Sequence, residues 1–165
     1  MILQLGDYKL FKTQVVNDTI KQRILTDISN KFSSTFANPI SGFDLKSTVE
    51  LYSEIIEQLK SELGISGTIE PHQAWVNNYK PGEWIDTHKH NIETSGHGFT
   101  AIHYIRYTLD HNPTYFIVDD SGDQPTVEVQ ENDILIYPRE IPHGTVGTPE
   151  AKDNRITLVF DFSIV

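Results

Sequence analysis

Cysteine is absent from the chain. Disulfides, thiolate zinc sites, iron–sulfur clusters and cysteine nucleophiles are thereby excluded, and the lack of thiols suits a reducing compartment. Positive charge is scarce: 13 Lys and Arg stand against 23 Asp and Glu, for a net charge of −10. A grip on nucleic-acid phosphate needs clustered Lys and Arg, so no nucleic-acid partner is expected. Anchoring to anionic lipid is disfavoured for the same reason. No apolar run approaches the roughly 20 residues of a membrane span, and the stretch from Met1 to Gly6 does not read as a signal peptide. Repeats, low-complexity tracts, phosphate-binding G-x-x-x-x-G-K-S/T, dinucleotide-binding G-x-G-x-x-G and nucleophile-elbow G-x-S-x-G are missing too. What remains is 165 residues with a 38% apolar share, long enough to bury a core. The expectation is one cytoplasmic domain, residues 1–165, whose chemistry comes from His, carboxylates, Arg or Tyr.

The pattern divides the chain in two. In residues 1–67, Ile2 to Val15 alternates loosely as one or two strands. Asp18 stands as an N-cap before Ile20, Ile24, Ile28 and Phe32 at helical spacing, a helix predicted to end near Ser33-Ser34 or Asn38-Pro39. Ser47 and Glu50 form a capping-box pattern. Val49, Tyr52, Ile56, Leu59 and Leu63 follow as an apolar stripe closed by Gly64, which predicts a second helix from Ser47 to Leu63. Residues 68–165 change to period two. Thr68–Glu70, Gln73–Tyr79, Trp84–His88, Phe99–Leu109, Thr114–Val118, Thr126–Val129, Asp133–Tyr137 and Asn154–Phe162 read as strands between turn-forming clusters. Eight short strands in about a hundred residues indicate a sandwich or barrel, with two helices packed on its outside.

Seven His occur, and most lone His residues are surface or core groups. His88 and His90 differ, because residues i and i+2 of a strand share a face. Asp86 extends that face. Adjacent imidazoles pack poorly but ligate iron, zinc, copper or nickel well. His143, after Tyr137-Pro138-Arg139-Glu140-Ile141-Pro142, is the best candidate for a third ligand brought back by barrel closure.

The surrounding spacing carries a resemblance. Tyr79-Lys80-Pro81-Gly82 through His88-Lys89-His90 resembles the Y-x-x-G-x-x-x-x-x-H-x-D segment of prolyl-4-hydroxylase-like Fe(II)/2-oxoglutarate oxygenases. Phe99 to Ile105 resembles the next strand of that family, Glu131 to Pro138 the strand leading to the distal His, and His143 with Arg155-Ile156-Thr157 its closing H…R-x-S/T pattern. The likeness spans Gln73 to Phe162. Within the family, the chain looks like small 2-oxoglutarate–Fe(II) oxygenases of bacteria and phages.

This resemblance implies a mainly β fold with flanking helices: a double-stranded β-helix, or cupin-like jelly-roll, with two N-terminal helices on its major sheet. It implies Fe(II) held by His88, His90 and His143, and 2-oxoglutarate held by Arg155, Thr157, Tyr104 and Asn77. The family's usual third ligand is an Asp, and His90 stands in its place. Three arrangements follow: His90 ligates, His90 turns away from the ion, or Asp86 contributes directly or through a His. Arg155 would clamp the distal carboxylate, a task for a planar guanidinium fork. Tyr79 and Tyr107 rival Tyr104, Thr100 is a further lining candidate, and Trp75 and Trp84 read as core or pocket wall. Ser95-Gly96-His97-Gly98 reads equally as a lid or a plain surface loop. The implied activity is hydroxylation of a small molecule or peptide with molecular oxygen, 2-oxoglutarate being decarboxylated to succinate. The alternatives are a cupin-type metalloenzyme that does not use 2-oxoglutarate and a non-enzymatic jelly-roll binding module. Lys80, Lys89, Arg106 and Arg139 are candidates for a basic patch at the mouth of the pocket.

Overall fold

The computed structural model describes residues 1–31, 38–39, 45–91 and 95–165, with side chains described outside 27–47. Its elements in chain order are β1 (Ile2–Leu5), β2 (Tyr8–Gln14), α1 (Asp18–Lys31), β3 (Asn38–Pro39), α2 (Leu45–Glu50), α3 (Ser53–Leu63), β4 (Ile69–Tyr79), β5 (Ile85–His88), β6 (His97–Arg106), β7 (Thr114–Phe116), β8 (Asp133–Pro138), β9 (His143–Thr145) and β10 (Arg155–Ile164). Seven strands form a major sheet in the order β1-β2-β8-β6-β10-β4-β3, and three form a minor sheet, β5-β9-β7. Every ladder is antiparallel. Among the described residues, no helix is long and apolar enough to cross a membrane.

The centre of the major sheet is buried on both faces, which the sequence of β10 shows residue by residue. Ile156, Leu158, Phe160, Phe162 and Ile164 share one apolar cluster with Ile20 and Ile24 of α1 and with Ile56 and Leu59 of α3. The alternate set, Arg155, Thr157 and Val159, turns inward toward a cavity between the sheets. A second cluster fills the rest of that space with Ile102, Tyr104, Phe116, Leu135, Tyr137 and Ile141. Period two therefore separates a packing face from a chemical face along a single strand.

Several expectations are corrected in detail. The helix predicted over Ser47–Leu63 is broken into α2 and α3. Tyr52 stands between them at φ −104°, ψ 9°, its ring buried against Phe160 and its hydroxyl 2.8 Å from His103 Nδ1. Asn17, not Asp18, caps α1, accepting the Thr19 N–H at 3.0 Å. The side chains of Ile28 and Ser47, Phe32 and the predicted helix end at Ser33-Ser34 lie outside the described residues, and Asn38-Pro39, the other predicted end, is strand β3. Gly64 does close α3 in the left-handed region at φ 67°. The two strands expected over 68–79 are one strand, β4, with a register shift opposite Asp161/Phe162. Thr126–Val129 forms no ladder: Val127 and Val129 are buried, but the backbone pairs only through one bridge, Thr126 to Tyr115. His97 and Gly98 are the start of β6 rather than loop. A basic patch combining Arg106 with Arg139 is ruled out by position. Arg139 N–H donates to Gly98 at one end of β6, and Arg106 lies eight residues along it, about 26 Å away at the rise of a strand.

Candidate metal centre

His88 closes β5 and His143 opens β9, and the two are directly paired across the minor sheet. His90 follows two residues later, its N–H on the Arg139 carbonyl at 3.3 Å. Their rings lie 4.5 to 5.3 Å apart, centroid to centroid, and one nitrogen from each lies within 4.8 Å of the others. Each Nδ1 faces an acceptor: the Asp86 carbonyl for His88 at 2.9 Å, the Ile141 carbonyl for His143 at 3.0 Å, and the Asp161 carboxylate for His90 at 2.8 Å. A carbonyl or carboxylate only accepts, so each Nδ1 carries a proton, and the neutral ring in that tautomer presents its Nε2 lone pair to an ion. Burial holds His143 down to about 3, with the neighbouring His88 and His90 adding to the effect. It is therefore neutral at physiological pH, the form that ligates.

Asp86 does not share this face. Between Ile85 and His88 the register of β5 shifts, which exchanges inward and outward positions. Ile85 and His88 line the cavity, while the Asp86 carboxylate is exposed and accepts from Trp84 Nε1 at 3.3 Å. Trp84, expected as core or pocket wall, is 58% exposed.

The cavity beside the imidazoles has a volume of about 350 Å³, at the small end of ligand sites (roughly 300–1,000 Å³). β4 contributes Gln73, Trp75, Asn77 and Tyr79, every second residue, and β10 contributes Arg155, Thr157 and Val159. Arg155 is 4% exposed. Its Nη2 donates to Thr114 Oγ1 at 3.0 Å and its Nη1 to the Asn112 carbonyl at 3.3 Å. Its Nε has no hydrogen-bond partner. Three phenol rings surround it, those of Tyr79, Tyr104 and Tyr107 at 5.6, 5.6 and 6.0 Å. No carboxylate pairs with it among the described residues. Burial of such a cation among aromatic faces and hydroxyls without a counter-charge is costly, and an anion in the cavity would offset that cost. Burial raises the Tyr79 and Tyr104 hydroxyls above the usual phenol value, partly offset by the Arg155 charge, so both remain protonated.

The structure thus brings His88, His90, His143, Asn77, Arg155 and Thr157 to one cavity. Tyr104 stands behind its wall, donating to Thr114 Oγ1 at 3.0 Å, and Tyr79 is the phenol that lines it. Thr100 serves another role, donating to Asp161 and lying 3.0 Å from His90 Nδ1. Sequence reasoning missed Thr114, Gln73 and Asp161. Asp161 was available by counting on in twos from Arg155 and Thr157.

No family model and no curated protein matches the chain. Solved structures do. A viral collagen prolyl hydroxylase from Paramecium bursaria Chlorella virus-1, in complex with 2-oxoglutarate, superposes with a TM-score of 0.64 at 11% identity, over 94% of this chain and 96% of that one. SnoN, a non-heme α-ketoglutarate-dependent epimerase from nogalamycin biosynthesis, gives a TM-score of 0.69 at 12% identity, over 94% and 77%. HygX from Streptomyces hygroscopicus, with iron bound, gives 0.60 at 10% identity, over 94% and 82%. This chain has the jelly-roll fold of these 2-oxoglutarate and iron proteins.

Proposed function

We propose that the protein is an Fe(II)- and 2-oxoglutarate-dependent oxygenase acting on a small molecule or peptide. The observation that carries this reading is the pairing, within one cavity, of three imidazoles that each offer a nitrogen to one point and a buried guanidinium that has no anionic partner among the described residues. His88, His90 and His143 would hold the iron. Arg155 would hold the distal carboxylate of 2-oxoglutarate, with Thr157 and Asn77 beside it and Thr114 fixing the guanidinium. Bound there, iron would supply oxidative chemistry with 2-oxoglutarate as co-substrate. The chain's own part is to fix the imidazole tautomers, to orient the anion, and to limit water access through the apolar wall of Trp75, Ile85, Ile102 and Val159. By excluding solvent, that wall would strengthen electrostatic contacts in the cavity.

The all-nitrogen donor set favours a second reading, a cupin-type metalloenzyme without 2-oxoglutarate. Such an enzyme has no use for a buried clamp, and Arg155 therefore weighs toward the first. The test is anaerobic addition of Fe(II) and then 2-oxoglutarate. A visible charge-transfer band that is lost in Arg155→Ala is the expected result. Iron binding with no optical response to 2-oxoglutarate supports the second reading, and no iron binding overturns both.

A further inference from the structure

Asp161 is completely buried at the metal end of β10. Strand register places Gln73 directly opposite it on one side and Thr100 on the other, and both donate to it: Gln73 Nε2 to Oδ2, Thr100 Oγ1 to Oδ1. Both donors are neutral. The remaining donor is His90 Nδ1, 2.8 and 3.0 Å from the two oxygens. Among the described residues His90 is its one ion-pair partner. A carboxylate cradled by neutral groups in a dry interior is unfavourable unless a positive charge stands near, and an ion on His90 Nε2 would supply one through the ring that contacts both carboxylate oxygens. His88 and His143 are backed by uncharged carbonyls, so the three ligands are not equivalent.

We infer that Asp161 is a positioning residue for the metal, holding the His90 ring and tautomer and supplying, through that ring, negative charge that three imidazoles lack. This rests on the metal-centre reading proposed above. Around a dication, three neutral imidazoles leave two positive charges, and Asp161 reduces the local sum to one. A carboxylate behind a ligating imidazole also raises its donor strength. The acidic function belongs to β10, in the rung series of Arg155 and Thr157, rather than to the H-x-H segment.

The probe is Co(II) added to metal-free protein without 2-oxoglutarate, followed optically, together with the Fe(III)/Fe(II) midpoint potential. Asp161→Asn preserves shape and removes the charge. It is expected to weaken Co(II) binding about 10- to 100-fold and to raise the potential. His90→Asp moves the charge into the ligand itself, where Asp161 becomes a second, repelling carboxylate. On that background Asp161→Asn is expected to leave Co(II) affinity unchanged or to increase it. This reversal of sign separates a charge effect from simple loss of packing. Equal weakening in both backgrounds, or no change in the parent, overturns the inference while leaving the metal centre standing. Failure of the parent protein to bind Co(II) or Fe(II) overturns both. If Asp161→Asn alone does not fold, the comparison within the His90→Asp background still decides: loss of affinity there refutes the role.

Discussion

Acid should destabilise the fold through His103, which lies on the helix-covered face of the major sheet. This residue is fully buried, and its Nδ1 lies 2.8 Å from the Tyr52 hydroxyl. Burial, with the Lys21 charge adding, lowers it to about 3, whereas the unfolded chain presents it near about 6.5. Below that higher value the unfolded state takes up a proton that the folded state does not. Stability is therefore lost as pH falls from about 6.5 toward about 3, and is unaffected by this residue well above that range. The limiting slope is about 1.4 kcal/mol per pH unit, so descending from pH ~6.5 to ~4.5 removes about 2 kcal/mol through His103 alone. That is a large share of a typical stability of about 5–15 kcal/mol. His103→Gln does not titrate and keeps an oxygen that can accept from Tyr52. Urea unfolding of both metal-free proteins across this range cancels the carboxylates and His143, which they share. The parent should lose about 2 kcal/mol more than the variant. Parallel losses would show that His103 is protonated inside the fold and would refute the reasoning.

Thr114→Val keeps the shape but removes the acceptor shared by Arg155 and Tyr104. It should cost about 1–3 kcal/mol in urea unfolding and weaken 2-oxoglutarate binding several-fold in the optical titration (about 3- to 10-fold for about 1 kcal/mol). In Gly144→Ala the added methyl would overlap the Tyr115 hydroxyl beside His143. Co(II) affinity should fall about 10-fold or more, with the far-ultraviolet circular dichroism retained. Gly96→Ala meets both a positive φ of 83° and the Ile164 carbonyl, so thermal unfolding should reveal a loss of about 1–3 kcal/mol.

Legibility in the sequence followed physical locality. The sandwich-or-barrel class was readable because strand alternation and turn residues act over a few positions, the jelly-roll within it was what the family resemblance implied, and Arg155 and Thr157 were placed on one face by that alternation. Register irregularities were not readable. One of them, between Ile85 and His88, sends Asp86 outward despite its i, i+2 relation to His88. The α2–α3 break was hidden because Tyr52 fits the apolar stripe, and only its contacts with His103 and Phe160 show why the helix stops there. Val127 and Val129 alternate like strand residues and are buried like them, yet backbone pairing depends on a neighbour that alternation does not reveal. Asp161 was obscured by the aromatic and aliphatic run around it, because hydrophobic average masks a polar residue that the pleat turns inward.

Arg155 and Asp161 are rungs of the same ladder, six residues apart, and the rise of a strand puts their backbones about 20 Å from each other. A loop closing over the cavity can alter access without changing that span. If the acid binds as proposed, its permitted length is thus a property of the sheet. Changing it calls for a different rung: shifting the guanidinium two positions carries it about 7 Å and keeps it facing inward, whereas shifting it by one turns it into the layer that the helices cover.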